Sequence, residues 1–92
     1  MTTMKRKQAA AIRYDPDRQN APVLTARGEG HMAEKILEIA REENIPVIQD
    51  PVFTGQLMGM EPGSELPEEL YEAAARIVAF VWRMRQEYSP PK

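Results

Sequence analysis

Cysteine is absent from this chain of 92 residues. Disulfides, thiolate metal sites and cysteine nucleophiles are thereby excluded. Histidine occurs once, at His31, and serine twice, at Ser64 and Ser89. That is a poor stock for hydrolytic or metal chemistry. Neither sign of charge dominates: 12 basic and 14 acidic residues leave a formal charge of −2. Bulk electrostatics therefore gives no ground for a nucleic-acid binder. No apolar run is long enough to span a bilayer. The basic start, Met1 to Lys7, is followed by no long apolar stretch, so it is no secretory signal. What is present is an ordinary globular balance, 42% apolar and 28% charged, in a length that fits one domain. These counts favour a cytosolic, non-catalytic interaction module.

Proline and glycine punctuate the elements. Residues 1–8 read as a basic flexible tail and 89–92 as a C-terminal tail, leaving 9–88 as the domain. Ala9 to Tyr14 fits helix or strand by periodicity. The Asp15-Pro16 break leaves too little length for a stable helix, so a strand is expected. Asp15 to Pro22 reads as a loop, Val23 to Arg27 as a second strand, and Gly28-Glu29-Gly30 ends it.

A helix is expected from about Glu29 to Glu43. At 100° per residue, Met32, Ala33, Ile36, Leu37, Ile39 and Ala40 share an arc of roughly 160°. Asn44 suits the turn that closes it. Ile45-Pro46-Val47-Ile48-Gln49 reads as a short apolar strand. Asp50 as N-cap and Pro51 at the first helical position then open a short helix over Val52 to Met58. After a turn containing Pro62-Gly63, a last helix is expected from Pro67 to Tyr88. Leu70, Ala74, Ile77, Val81, Met84 and Tyr88 form its stripe. Tyr71, Val78 and Trp82 widen it on one side, and Ala73 and Phe80 on the other. An arc of about 200° is wider than one core contact needs, so the helix is central or keeps an edge for a partner. Trp82 itself is read as core. The fold class is α/β, a single domain with a small mixed β-sheet flanked by helices. The second strand, first helix and third strand form a βαβ unit with parallel pairing, and the first strand adds antiparallel.

Each chemical motif has a plainer reading. Gly28-Glu29-Gly30 stands where a phosphate loop would, but lacks the third glycine and the lysine. A turn needing positive φ explains it better. His31 has only Glu34 and Lys35 at helical spacing and reads as a surface histidine. Asp15-Pro16-Asp17 reads as a self-bonded turn. Lys5-Arg6-Lys7 lacks the interleaved aromatics of a nucleic-acid site. No cofactor, metal or catalytic residue is expected, and an enzyme is the reading these residues support least. At the boundary of the last helix's apolar arc, Ala75 and Val78 leave a shallow depression that another chain's apolar side chain could fill.

Several short motifs, in order and in register, resemble one family. They are Ala11-Ile12-Arg13-Tyr14-Asp15, Ala21-Pro22-Val23, Ala26-Arg27-Gly28-Glu29-Gly30, Asn44-Ile45-Pro46-Val47 and Leu66-Pro67-Glu68-Glu69-Leu70-Tyr71-Glu72-Ala73. The family is the FlhB/YscU-type export-switch protein of flagellar and type III secretion systems. The resemblance covers its C-terminal cytoplasmic domain, over about residues 8–88. It implies a small mixed sheet flanked by helices, a docking role at the export gate, and a part in choosing which substrates are secreted. It implies export-apparatus membrane proteins and secreted substrates as partners, with no nucleic acid and no membrane insertion. The implied location is cytoplasmic, peripheral at the inner membrane through the export gate. It implies no enzymatic turnover. In the family a small apolar patch is associated with substrate recognition, and the matching residues are Ala21, Pro22, Ala75 and Val78.

The departures from the family are specific. Its members cleave themselves at Asn-Pro-Thr-His. Aligned on Tyr14-Asp15, those places hold Met4-Lys5-Arg6-Lys7. The only asparagines, Asn20 and Asn44, precede Ala21 and Ile45, so cleavage by that route is not expected. The family's Pro-Leu-Ala-Arg-like start of the short helix reads Val52-Phe53-Thr54-Gly55 here, without the arginine. Members also carry a membrane half and a strand upstream of the cleavage site. The chain is therefore expected to act as a separate counterpart of the post-cleavage fragment, with the Ala9–Tyr14 strand offering open backbone groups at a sheet edge. The rival reading is a cytosolic adaptor or regulatory protein that keeps the fold without a tie to secretion.

Overall fold

The structure is a computed structural model that describes residues 7–14 and 21–87. Residues 1–6 of the expected first tail, the Asp15–Asn20 part of the first loop, Tyr88 and the expected C-terminal tail lie outside them. Two strands, β1 (Gln8–Arg13) and β2 (Val23–Glu29), pair antiparallel. Three helices follow: α1 (His31–Glu42), α2 (Pro51–Leu57) and α3 (Tyr71–Glu87), the last entered through a 3-10 turn over Glu68–Leu70. The ladder reaches further toward the N-terminus than the pattern predicts. Gln8 pairs with Glu29, and the Gly30 amide donates to the Lys7 carbonyl at 2.8 Å. Gln8 therefore belongs to the sheet, and Lys7 is bonded at its end rather than lying in a free tail.

Strand alternation assigns the two faces of the sheet. Ala9 and Gly28, paired across the ladder, face α1. Ile12 and Leu24, also paired, face the core. A bulge reconciles the two halves: the partner of Ala11 is Ala26 and that of Ile12 is Leu24, so Thr25 is the extra residue. Its Oγ1 donates to the Ala11 carbonyl at 3.1 Å. On the far face Leu24, Phe53, Leu57, Leu66, Leu70 and Ala74 form the buried cluster, with Ala10, Ile12, Met60, Tyr71, Ala73 and Ile77 packed around it. Met60 fills space at the core margin, as a flexible thioether does.

α1 sits close to the sheet because Gly28 carries no side chain. A Cβ there would lie 2.6 Å from Met32 Cβ and 3.1 Å from the Met32 carbonyl carbon. Gly30, with φ 60° and ψ −123°, turns the chain into α1 in a region that side-chain-bearing residues avoid. That geometry accounts for the Gly-Glu-Gly motif without a phosphate. The helix closes with Asn44 at φ 57°. The Ile45 amide donates to the Ala40 carbonyl at 2.8 Å and the Asn44 amide to Arg41 at 3.3 Å, the paired bonds of a Schellman stop. α2 opens as expected. Pro51 stands at its first position, and the Asp50 carboxylate accepts from the Phe53 amide at 3.1 Å.

Two details differ from the pattern. Ile45 to Gln49 forms no strand, so the expected parallel βαβ pairing is absent among the described residues, and the sheet there is purely antiparallel. A strand needs a partner edge, which an apolar run does not itself supply. Pro67 is also not the first residue of the last helix; at φ −68° and ψ 159° it is extended and precedes the 3-10 turn. In place of a third strand, residues 63–66 lace the outer edge of β2. The Leu24 amide donates to Ser64 (3.0 Å), Gly63 to Leu24 (2.7 Å), and Leu66 to Pro22 (2.9 Å). Gly63 turns at φ 94°, and the Arg27 side chain donates to the Met60 carbonyl. The architecture is thus three layers: α1, a small sheet, and α2 with α3.

Gly28→Val forces α1 off the sheet. It should lower stability by about 1–3 kcal/mol, as overpacking does, read as a fall in denaturation midpoint. Asn44→Ala places an alanine in left-handed backbone and should cost about 1–2 kcal/mol. Asn44→Gly should match or exceed the parent in the same measurement.

Candidate functional site

α3 is the element with most unspent apolar surface. Its first turns deliver Leu70 and Ala74 into the core. Further along, the same stripe outruns the domain beneath it: Ile77 and Val81 are half-buried, and Met84 is 43% exposed. Trp82, expected in the core, is 58% exposed. The helical arc correctly marks where the apolar residues lie, but the layer that would cover Trp82 is not there among the described residues.

Two apolar flanks border the buried stripe. Tyr71, Ala75, Val78 and Trp82 recur at spacings of four, three and four and so share one flank. Tyr71 packs on the core, Ala75 is exposed and Val78 is half-buried. Ala73 and Phe80 border the stripe on the other side. There Ala73, Ile77 and Phe80 line a shallow groove with Ile48, Asp50 and Arg76. Both charged groups at that groove are engaged. The Asp50 carboxylate caps α2, and the Arg76 guanidinium donates to Glu72 at 2.8 Å on the exposed helix surface.

The four residues matched to the recognition patch divide in the structure. Ala75 and Val78 are accessible on α3, whereas Ala21 and Pro22 are buried. Pro22 is held by its carbonyl, which accepts from Leu66 as the 63–66 segment closes over β2. An open dent built from all four side chains is therefore not what the chain presents; its accessible half is the α3 flank. Trp82, exposed beside Ala75 and Val78, belongs to that surface. The same four-three-four spacing is legible in the sequence, where an apolar residue on such an arc reads as buried.

Among the described residues, no group of three or more His, Asp or Glu side chains is placed to hold a metal. His31 is fully exposed, with its Nδ1 3.8 Å from Glu34 Oε2. No helix among the described residues is long and apolar enough to cross a membrane.

Comparison with known proteins agrees with this geometry. Residues 6–81 match the family described as "FlhB HrpN YscU SpaS Family". The chain is 40% identical over 74 residues to the flagellar biosynthetic protein FlhB of Aquifex aeolicus (strain VF5), covering 79% of this chain and 21% of that protein. It is 28% identical over 86 residues to the protein YlqH of Bacillus subtilis (strain 168), covering 94% of this chain and 92% of that one. In three dimensions it superposes on the crystal structure of the cytoplasmic domain of FlhB from Shewanella putrefaciens with a TM-score of 0.83, at 32% identity, over 92% of this chain and 70% of that one. The chain thus spans about a fifth of the FlhB proteins it matches and nearly all of YlqH. An adaptor unrelated to secretion gains nothing from these matches. By sequence over most of its length and by fold, the chain belongs to the FlhB/HrpN/YscU/SpaS family of flagellar and type III secretion export proteins.

Proposed function

We propose that the chain is a non-catalytic docking and substrate-specificity module of a flagellar or type III export apparatus. It acts as a separate counterpart of the family's cytoplasmic switch domain. Its partners are secreted substrates and the membrane proteins of the export gate. It works in the cytoplasm and reaches the inner membrane through them, without inserting. The observation that carries this reading is the α3 flank of Ala75, Val78 and Trp82, left accessible in a chain of this family. A small alanine between larger apolar neighbours gives a shallow seat for one apolar side chain of a partner, and burial there supplies about 25 cal/mol per Å². Ala21 and Pro22 contribute from inside, through the Pro22–Leu66 bond that fixes the chain entering α3.

In this role the chain carries out no turnover of its own. The position aligned with the self-cleaving asparagine is Met4, and neither asparagine precedes a proline.

Val78→Asp puts a charge in that seat. It should weaken binding of a secreted-substrate peptide at least tenfold, about 1.4 kcal/mol, with the thermal midpoint nearly unchanged. Unchanged affinity in the folded variant removes the α3 flank as the site. In cells whose full-length switch protein lacks its cytoplasmic domain, expression of the chain should restore secretion.

A further inference from the structure

The flank of α3 has the form of a seam. Tyr71, Ala75, Val78 and Trp82 follow one another at the alternating four-residue and three-residue spacing by which two helices pair along their length. α3 spans Tyr71–Glu87, about 25 Å of helix. Between Tyr71 and Met84 only Ala74 is buried, so most of the helix surface is open. The stripe that carries Ala74 into the core lies about 90° round the helix from the flank. The seam is therefore turned away from the body of the domain.

Size along the seam is graded. Ala75 is small, Trp82 is the largest residue in the chain, and Val78 lies between them. A second α3 laid antiparallel, with Val78 of each copy at the centre, brings Trp82 of each over Ala75 of the other. The indole, 58% exposed in the single chain, then fills the hollow beside the alanine, large on small as in close-packed helices. Parallel pairing would instead set Trp82 against Trp82 and Ala75 against Ala75, one clash and one void.

Charge gives the same answer independently. Glu72 and Arg83 are eleven residues apart, close to three turns, and so stand on one edge beside the seam. Both are exposed. The antiparallel arrangement that matches Trp82 to Ala75 also brings Glu72 of each copy toward Arg83 of the other. Glu72 already accepts from Arg76 at 2.8 Å, but a carboxylate takes more than one donor.

We infer that two copies of the chain pair antiparallel along the α3 flank, with Trp82 seated over Ala75 and Glu72 beside Arg83 across a two-fold axis. The contact is isologous, the same patch on both chains. The stripe sides of both helices fall on one side of the pair, so each projecting helix end lies beside the other copy's body. One helix face makes a small interface of the transient class, and the pair forms and separates with concentration. Pairing covers Val78; that this withholds the flank from a secreted substrate rests on the docking reading above, whereas the pairing itself rests on α3 alone.

The test is the mass of the full chain in solution, by sedimentation equilibrium over a concentration series. The parent should pass from monomer to dimer mass between about 1 μM and about 1 mM, the range of weak complexes. Trp82→Ala should raise the dissociation constant at least about tenfold, as loss of an aromatic anchor does. Glu72→Arg and Arg83→Glu each set like charges face to face. Each should stay monomeric where the parent is dimeric, with its helical circular dichroism unchanged. Mixed in equal amounts, these two variants carry complementary charges again and should recover the dimer mass. A parent monomeric at about 1 mM, or one that assembles beyond a dimer, overturns the inference. So does a dimer that Trp82→Ala and both charge variants leave intact, or a mixture of the charge variants that stays monomeric. Substrate binding enters none of these measurements, so the docking reading and the pairing fail separately.

Discussion

The placement of α3 on the far face of the sheet depends on a backbone clamp, the bonds that tie residues 63–66 to Pro22 and Leu24. Leu66 reaches the core through it, at 2% exposure. Pro67 then extends the chain, and the 3-10 turn starts α3 in the direction that buries Leu70 and Ala74. The clamp uses main-chain groups, so it specifies position without demanding particular side chains beyond the glycine turn at Gly63. Closing a loop of about forty residues costs on the order of 3 kcal/mol in chain entropy. The buried leucines, each contributing about 1.5–3 kcal/mol, offset that cost.

The local features were legible because they are locally determined. Asp50-Pro51 at a helix start and Asn44 at a helix end satisfy orphan backbone groups within four residues. The period of α1 marks its buried side, and Ala33 is fully buried. What stayed illegible depended on a second surface. Ile45 to Gln49 has strand composition, but no pattern in a run of five residues says whether an edge is available to it. Trp82 lies in an apolar arc, yet nothing in the arc shows that the body of the domain stops before it. The burial of Ala21 and Pro22 likewise follows from the 63–66 segment, some forty residues away.

The accessible candidate surfaces share one cause. A chain of this length buries a modest core, and here that core is filled by one face of the sheet, α2 and the first turns of α3. The apolar residues beyond it have no further layer to meet. The surplus lies on α3, where the proposed docking surface is drawn.

Thr25 carries a lesson about length rather than chemistry. Because the bulge adds one residue between Ala26 and Leu24, both the helix-facing and core-facing halves of β2 are correctly oriented. Exchanging Thr25 for another polar residue leaves that count intact. Deleting it, or adding a neighbour, rotates Leu24 and Val23 to opposite sides. The strand thus tolerates a point replacement at Thr25 but not a change in its length.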